Sequence, residues 1–285
     1  MKFSIVSKSV SNWHVQQLLE ACAKHGIESE VHHLHNPNTI VDDIKNFGDV
    51  VLWRASKLDL KSERSAVGEL LKDKYVINDA VLQRPYVAYK FVQQMVAAND
   101  KHVPHIATYR FHLLKELKAA IENNQLHYPF IAKPNYGAQG KGILLVKSAA
   151  DLKQVRPVIG DMIFQNFIPN DGDWRIIIFD GQPLGVMKRI ARKGHYLNNI
   201  SQGGSSMLET DPEIVRQVSD IAVRMTKNIG YKLCGVDVIQ DNTTGAFFFL
   251  ETNSAPEWDG DNGFQAVTGV NVADVVVKQL KAKLG

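Results

Sequence analysis

Apolar and polar positions divide the chain into three stretches with different periods. An apolar burst at residues 3–6 stops at Ser7 and Lys8, and residues 12–25 carry helical spacing closed by Gly26. Short apolar runs follow at Val50-Val51-Leu52-Trp53 and Tyr75-Val76-Ile77. Strand-length bursts alternating with amphipathic stretches predict a small open α/β domain with a largely parallel sheet over residues 1–82.

A second region, 83–160, opens at Arg84-Pro85, where proline suits the first turn of a helix predicted to reach Asn99. Val103-Pro104 interrupts, a helix over 113–121 follows, and residues 130–133 and 143–146 read as antiparallel strands around a glycine-rich loop. The third region, 161–285, has the strongest strand signals. Residues 175–179 and 184–189 flank Asp180-Gly181, a favoured hairpin turn. Asp211-Pro212 starts a long helix ended by Gly230, residues 234–240 pair with 246–253, and Asn271 caps a last helix. The run Phe247-Phe248-Phe249-Leu250 predicts a strand buried on both faces.

Charge narrows the function classes. The formal net charge is +3, with both signs spread along the chain, so nucleic-acid binding as a main activity has no support. No apolar run approaches the ~20 residues of a membrane span, and the opening burst is too short for a signal peptide. Cys22 and Cys234 lie far apart with no metal-binding or disulfide spacing, which fits a cytoplasmic protein.

Two segments carry candidate chemistry. The loop Lys133-Pro134-Asn135-Tyr136-Gly137-Ala138-Gln139-Gly140-Lys141-Gly142 is not a P-loop, since Gly140-Lys141 is followed by glycine. Nor is it a dinucleotide fingerprint, since the glycines are spaced Gly-x-x-Gly-x-Gly and lead into a strand. It reads either as a phosphate-covering loop, with Lys133 at its base, or as a hairpin tip with solvated lysines. Further on, period-two geometry puts Glu251 and Asn253 on one strand face, with Asp237 on the neighbouring strand in diagonal reach. Two carboxylates and an amide oxygen are hard ligands suited to magnesium. Solvated residues on an open sheet face are the alternative.

In order, these motifs resemble the ATP-grasp superfamily, and within it the RimK-type glutamate ligases, over almost the whole chain. The resemblance implies an α/β (α+β) ATP-grasp fold: a pre-ATP-grasp domain (1–82), a small lid subdomain (83–160) and a catalytic subdomain (161–285). It implies that Lys90 and Lys133 hold nucleotide phosphates under the loop of Gly137, Gln139 and Gly140. Gln165, Asn166, Phe167 and Ile168 match the adenine-binding hinge, with Asn166 where an acidic residue is usual. Asp173 matches the ribose-side residue, and Arg189, with Lys133 and Asn199, the catalytic set. Asp237, Glu251 and Asn253 match ligands for Mg2+, often two ions, with Mn2+ as a substitute.

The activity implied is ATP-dependent carboxylate–amine ligation through an acyl phosphate, with an amino acid such as glutamate as one substrate. The other substrate would be an amino acid, peptide or protein, and the enzyme a dimer or tetramer. The alternatives are a dipeptide or amino-acid conjugate ligase of the same superfamily, and a non-catalytic ATP-binding regulator. Leu197 departs from the polar or basic residue usual there. Glu257 and Trp258 depart from the Pro-Gly that commonly follows, and are expected to line the acceptor side. His32, His33 and His35 read as packed or exposed histidines, His195 as a surface histidine. Arg54 is open between a substrate contact and a salt bridge, as is the Arg192-Lys193 pair between solvent and an acidic substrate.

Overall fold

A computed structural model describes residues 1–7, 9–33, 40–54, 64–137, 139–192, 195, 198 and 203–284. His35, Lys193, Leu197 and Asn199 lie outside the described residues. Strands β1 (Lys2–Val6), β2 (Glu28–His32), β3 (Val50–Trp53) and β4 (Tyr75–Ile77) pair in parallel in the order β2-β1-β3-β4. They alternate with α1 (Trp13–Lys24), α2 (Ile40–Lys45) and α3 (Arg64–Leu70), as the alternating pattern predicts. Asn12 caps α1, its side chain accepting from the His14 N–H at 3.1 Å.

After the short α4 (Ala80–Gln83), the helix expected from Pro85 to Asn99 divides. A 3-10 turn over Pro85–Ala88 ends at extended Tyr89, and α5 (Lys90–Ala98) begins anew. The break points α5 at the edge of the third sheet, and the Lys90 N–H donates to the Asn135 carbonyl at 2.9 Å.

The second sheet is antiparallel, ordered β5-β8-β6-β7 from β5 (Thr108–Tyr109), β6 (Phe130–Pro134), β7 (Leu144–Val146) and β8 (Met162–Asn166). Phe130, Ala132 and Phe164 face a core built with Leu117 of α6 (Leu114–Glu122) and Leu152 and Val155 of α7 (Leu152–Val155). The opposite face carries Ile131, Lys133 and Gln165. A boundary at 160/161 would cut β8 out of this sheet, because its partner is β6, with Gln165 opposite Ile131 and Ile163 opposite Lys133. Such long-range pairing leaves no trace in local pattern.

The third sheet runs β11-β10-β9-β12-β13, antiparallel throughout, from β9 (Asp173–Phe179), β10 (Gln182–Ile190), β11 (Ser205–Leu208), β12 (Leu233–Gln240) and β13 (Phe247–Asn253). Asp180 and Gly181 turn the β9–β10 hairpin with φ of 47° and 78°, the left-handed pair that a tight hairpin requires. One face, with Trp174, Ile176, Ile178, Val236 and Val238, packs on α8 (Pro212–Ile229). Asp211 caps α8 and Gly230 ends it in the left-handed conformation, as expected.

The other face is split along its length. Ile177, Phe179, Met187 and Leu233 are buried with Phe264 of α9 (Phe264–Thr268) and Val276 of α10 (Val272–Leu284). Two or more residues along the same strands, period two brings Asp173, Arg175, Arg189 and Asp237 to this face, past the helical cover. Among the described residues, no helix is long and apolar enough to cross a membrane.

β13 is not buried on both sides as its four apolar residues suggest. Its register slips between Asp237 and Val238: Asp237 sits opposite Glu251, but Val238 opposite Phe249. Leu250 is therefore an extra residue, a bulge that reverses parity. Phe247 and Phe249 turn into the α8 core, while Glu251 stays on the face of Asp237; Phe248 and Leu250 are only half-buried.

Candidate active site

The candidate residues converge where the open half of the third sheet faces Ile131, Lys133 and Gln165 of the second. A slot between the sheets is walled by Ile106, Ile131, Ile143, Ile239 and Leu250, with residues 165–168 along one edge and Lys133 and Asp173 at its inner end. It continues into a polar cavity lined by Lys90, Gly137, Gly140, Arg189, Asp237 and Glu251. Flat apolar walls leading to cations suit a purine followed by phosphates.

The hinge residues play unequal parts. Gln165 is buried and donates from Nε2 to Thr108 Oγ1 at 2.7 Å. Asn166 lines the slot, but its side chain accepts the His127 N–H at 3.0 Å, bracing a neighbouring loop. The Phe167 N–H donates to the Pro129 carbonyl at 3.2 Å.

Lys90 is placed by α5. Its helix neighbours Gln93 and Gln94 close the outer edge of β13: Gln93 exchanges hydrogen bonds with the Thr252 backbone at 2.8 and 2.9 Å, and Gln94 Nε2 donates to the carbonyls of Phe249 and Leu250. Lys90, one turn earlier on the same face, thus meets Glu251, Nζ to Oε2 at 2.7 Å, and also donates to the Gly137 carbonyl at 2.7 Å. Burial would raise the Glu251 carboxyl, but Lys90 and Lys133 outweigh it and hold the pKa at about 2. Lys133, 4% exposed on β6, has its ammonium pushed down to about 8 by burial and by Lys90, against the pull of Glu251 and Asp237.

Asp237, 2% exposed, lies directly opposite Glu251, closer than the diagonal relation expected. Arg175 grips it with two nitrogens, one at 2.9 Å, and Arg189 Nη2 adds a third contact at 3.0 Å. Arg189 Nε donates to Asp173 Oδ1 at 2.6 Å. Burial raises the Asp173 carboxyl despite that contact, whereas the two aspartates hold Arg189 protonated against burial. Asp173 thus reaches the slot as a carboxylate already committed to Arg189. Asn253 Nδ2 donates to Glu251 Oε1 at 3.1 Å.

Arg175 was not among the expected residues. Its signal was present: it follows Asp173 by two on a strand, and a cation there needs a buried acid. Gln93 and Gln94 are legible only as the helix face of Lys90.

The donor set Asp237, Glu251 and Asn253 has the chemistry that suits a hard divalent cation, two apposed carboxylates and an amide oxygen, with Glu251 paired to Lys90 and Asn253 and Asp237 to Arg175 and Arg189. Among the described residues, no group of three or more His, Cys, Asp or Glu is placed to hold a metal ion. His32 pairs with Glu30 at 2.8 Å, as a structural histidine.

On the acceptor side the expectation for Trp258 is corrected. It is fully buried, edge-on to His14 with ring centroids 4.7 Å apart, with the Arg54 guanidinium 4.8 Å from its own ring centroid. Burial alternates along this segment: Trp258 turns inward, while exposed Glu257 and Asp259, with buried Pro256, line a cavity of about 300 Å3. Arg54 forms no salt bridge among the described residues; its Nη2 donates to the Pro256 carbonyl at 3.1 Å.

Residues 90–280 match the family model of the RimK-like ATP-grasp domain, well over half of the chain, and the protein belongs to that family. The "probable alpha-L-glutamate ligase" of Xanthomonas campestris pv. campestris (strain B100) is 32% identical over 160 residues, 54% of this chain and 52% of that one. The protein of the same description from Shewanella halifaxensis (strain HAW-EB4) is 29% identical over 163 residues, 55% and 34% of the two chains. The chain thus spans about a third to a half of the length of these curated relatives. The crystal structure of D-cycloserine synthetase DcsG superposes with a TM-score of 0.73 at 17% identity, covering all of both chains. The ATP-grasp ligase PsnB, complexed with a minimal precursor, gives 0.72 at 18% identity over 98% of this chain and 99% of its own. These two similarities concern the fold.

Proposed function

We propose that this protein is an ATP-dependent carboxylate–amine ligase that works through an acyl phosphate, with an amino acid such as glutamate among its substrates. The observation that carries this reading is the meeting of Lys90, Lys133 and Arg189 with Asp237 and Glu251 at the inner end of one apolar slot. A nucleotide base in the slot would place its phosphates among the lysines, and a substrate carboxylate would approach from the 300 Å3 cavity, which shares Arg189 and Glu251.

In that reaction the γ-phosphoryl group moves from ADP's leaving oxygen to a carboxylate oxygen. The amine nitrogen then attacks the acyl carbon, the carbon–oxygen bond to phosphate breaks, and amide, ADP, phosphate and a proton result. Lys90 and Lys133 neutralise charge on the phosphoryl oxygens, and Arg189 holds the acyl phosphate and the oxyanion formed by attack. The backbone at Gly137, Gln139 and Gly140 covers the phosphates and excludes water that would hydrolyse the acyl phosphate. Asp237, Glu251 and Asn253 would hold magnesium, which when bound supplies charge neutralisation on the polyphosphate. Asn199 is carried in the proposal as a further phosphate contact.

The test is phosphate release from ATP and magnesium, screened over carboxylates, amino acids and peptides with mass detection of the amide. Amine-dependent release that Glu251→Ala abolishes is the expected result. Nucleotide binding with no turnover on any substrate pair defeats the ligase reading and favours a regulatory ATP-binding protein.

A further inference from the structure

Resting on the ligase reading, the charges in the acceptor cavity go further and bear on which amine is used. Its walls include Arg175, Arg189, Glu251, Asn253, Glu257 and Asp259. Four of these are already satisfied within the site: both arginines by Asp237, with Asp173 adding to Arg189, and Glu251 by Lys90 and Asn253. Glu257 and Asp259 remain.

Neither of these two acids forms a salt bridge with a lysine or arginine among the described residues, and the charge that acts on both is the buried Arg54 guanidinium, which bonds to neither. Glu257 is exposed and, among the described residues, accepts from the neutral Gln139 amide at 3.2 and 3.5 Å. Asp259 Oδ1 lies 3.1 Å from His14 Nε2, with its side chain 42% exposed. That nitrogen already accepts the Trp258 N–H at 3.0 Å, and His14 Nδ1 is 3.1 Å from Asn12 Oδ1. The ring therefore carries its proton on Nδ1 and is neutral; burial and Arg54 push it down to about 4. Arg54 spends Nη2 on the Pro256 carbonyl and forms no ion pair with either acid among the described residues.

The backbone that carries the two carboxylates is anchored. Trp258 is locked between His14 and Arg54, and Asn78 Nδ2 donates to the Ser254 carbonyl at 2.8 Å. Glu257 further lines an adjoining cavity of about 180 Å3 together with Lys90, Tyr136 and Tyr231.

We propose that the amine substrate carries a second positive charge, as a diamine or a basic amino acid does, and that Glu257 and Asp259 recognise that charge while the reacting amine faces Arg189 and Glu251. An acidic amine would bring like charge against both residues. Glutamate, as a substrate of this chain, then enters as the carboxylate to be activated and not as the amine.

Three probes of one length separate the charges: 1,5-diaminopentane, pentylamine and 5-aminopentanoate, titrated calorimetrically into the full chain with ADP and magnesium. The diamine is expected to bind at least tenfold more tightly than pentylamine, with 5-aminopentanoate weakest. Glu257→Gln, a change at an exposed position, should shrink the diamine's advantage to about threefold or less. Equal or weaker binding of the diamine, binding of none of the three, or a preference that survives both Glu257→Gln and Asp259→Asn overturns the proposal. Carboxylate-dependent phosphate release without any charge preference leaves the ligase reading standing and removes this one. A charge preference without turnover on any pair does the reverse.

Discussion

One face of the third sheet holds two regions built by the same strands under opposite rules. At one end Ile177, Phe179, Met187 and Leu233 are buried beneath α9 and α10. At the other, Asp173, Arg175, Arg189, Asp237 and Glu251 are nearly as buried, yet carry charge. The apolar end is held by packing and needs no particular partner for each group. The charged end is tolerable only because every carboxylate touches a cation, and such pairs add little net stability. What they supply is a set of charges that phosphates and a divalent cation can reorganise. Stability and chemistry are thus separated along the strands.

The most severe way to break the comparison is to delete Leu250. Without the bulge, either Phe247 and Phe249 leave the α8 core or Glu251 turns into it. A loss above about 4 kcal/mol and failure to accumulate folded protein are expected, read by circular dichroism and soluble yield. Retained folding with native melting would refute the parity argument.

Next in size is Glu251→Ala, expected to lower amine-dependent phosphate release about 10³-fold, some 4 kcal/mol in the barrier, in protein that still melts cooperatively. Activity within tenfold of the parent would place the chemistry elsewhere. At the apolar end Ile177→Ala should do the opposite. It should cost about 3 kcal/mol in denaturant unfolding and leave the kcat of the folded fraction within about threefold. A loss of kcat without a loss of stability would erase the division between the two ends.

The smallest effect sharpens the charged end. Lys133 is depressed to about 8, so below that pH it is already charged and above it a nucleotide must bring in a proton. ADP affinity should therefore fall as pH rises past about 8, by at most tenfold per unit. Lys133→Arg should carry the decline to higher pH, since a guanidinium stays protonated. A decline unchanged in the arginine variant would assign it to another group.

Much of the candidate site was legible in the sequence. Lys90, Lys133, Arg189, Asp237, Glu251 and Asn253 could be picked out because they stand in a fixed order along the chain, which is a one-dimensional property. Arg175 was overlooked because its function is its partner, Asp237, on a different strand. The slot walls Ile239 and Leu250 read as ordinary core, since apolar residues in a strand do not announce which of them line a cavity. Trp258 was assigned to the cavity beside Glu257. Adjacent residues on an extended segment point opposite ways, and only the packing of His14 and Arg54 says which way is in.

By itself, the sequence determined the local elements: caps at Asn12 and Asp211, the left-handed turn at Asp180-Gly181, the three stretches and the order of the charged residues. These depend on backbone sterics and hydrogen bonds between near neighbours, and such terms are written in a few consecutive residues. Tertiary structure alone decided that β8 joins the second sheet, that Leu250 reverses the parity of β13, and that half of one sheet face is left uncovered. Each of these turns on which strand lies beside which, and register is settled by the burial of whole faces at once.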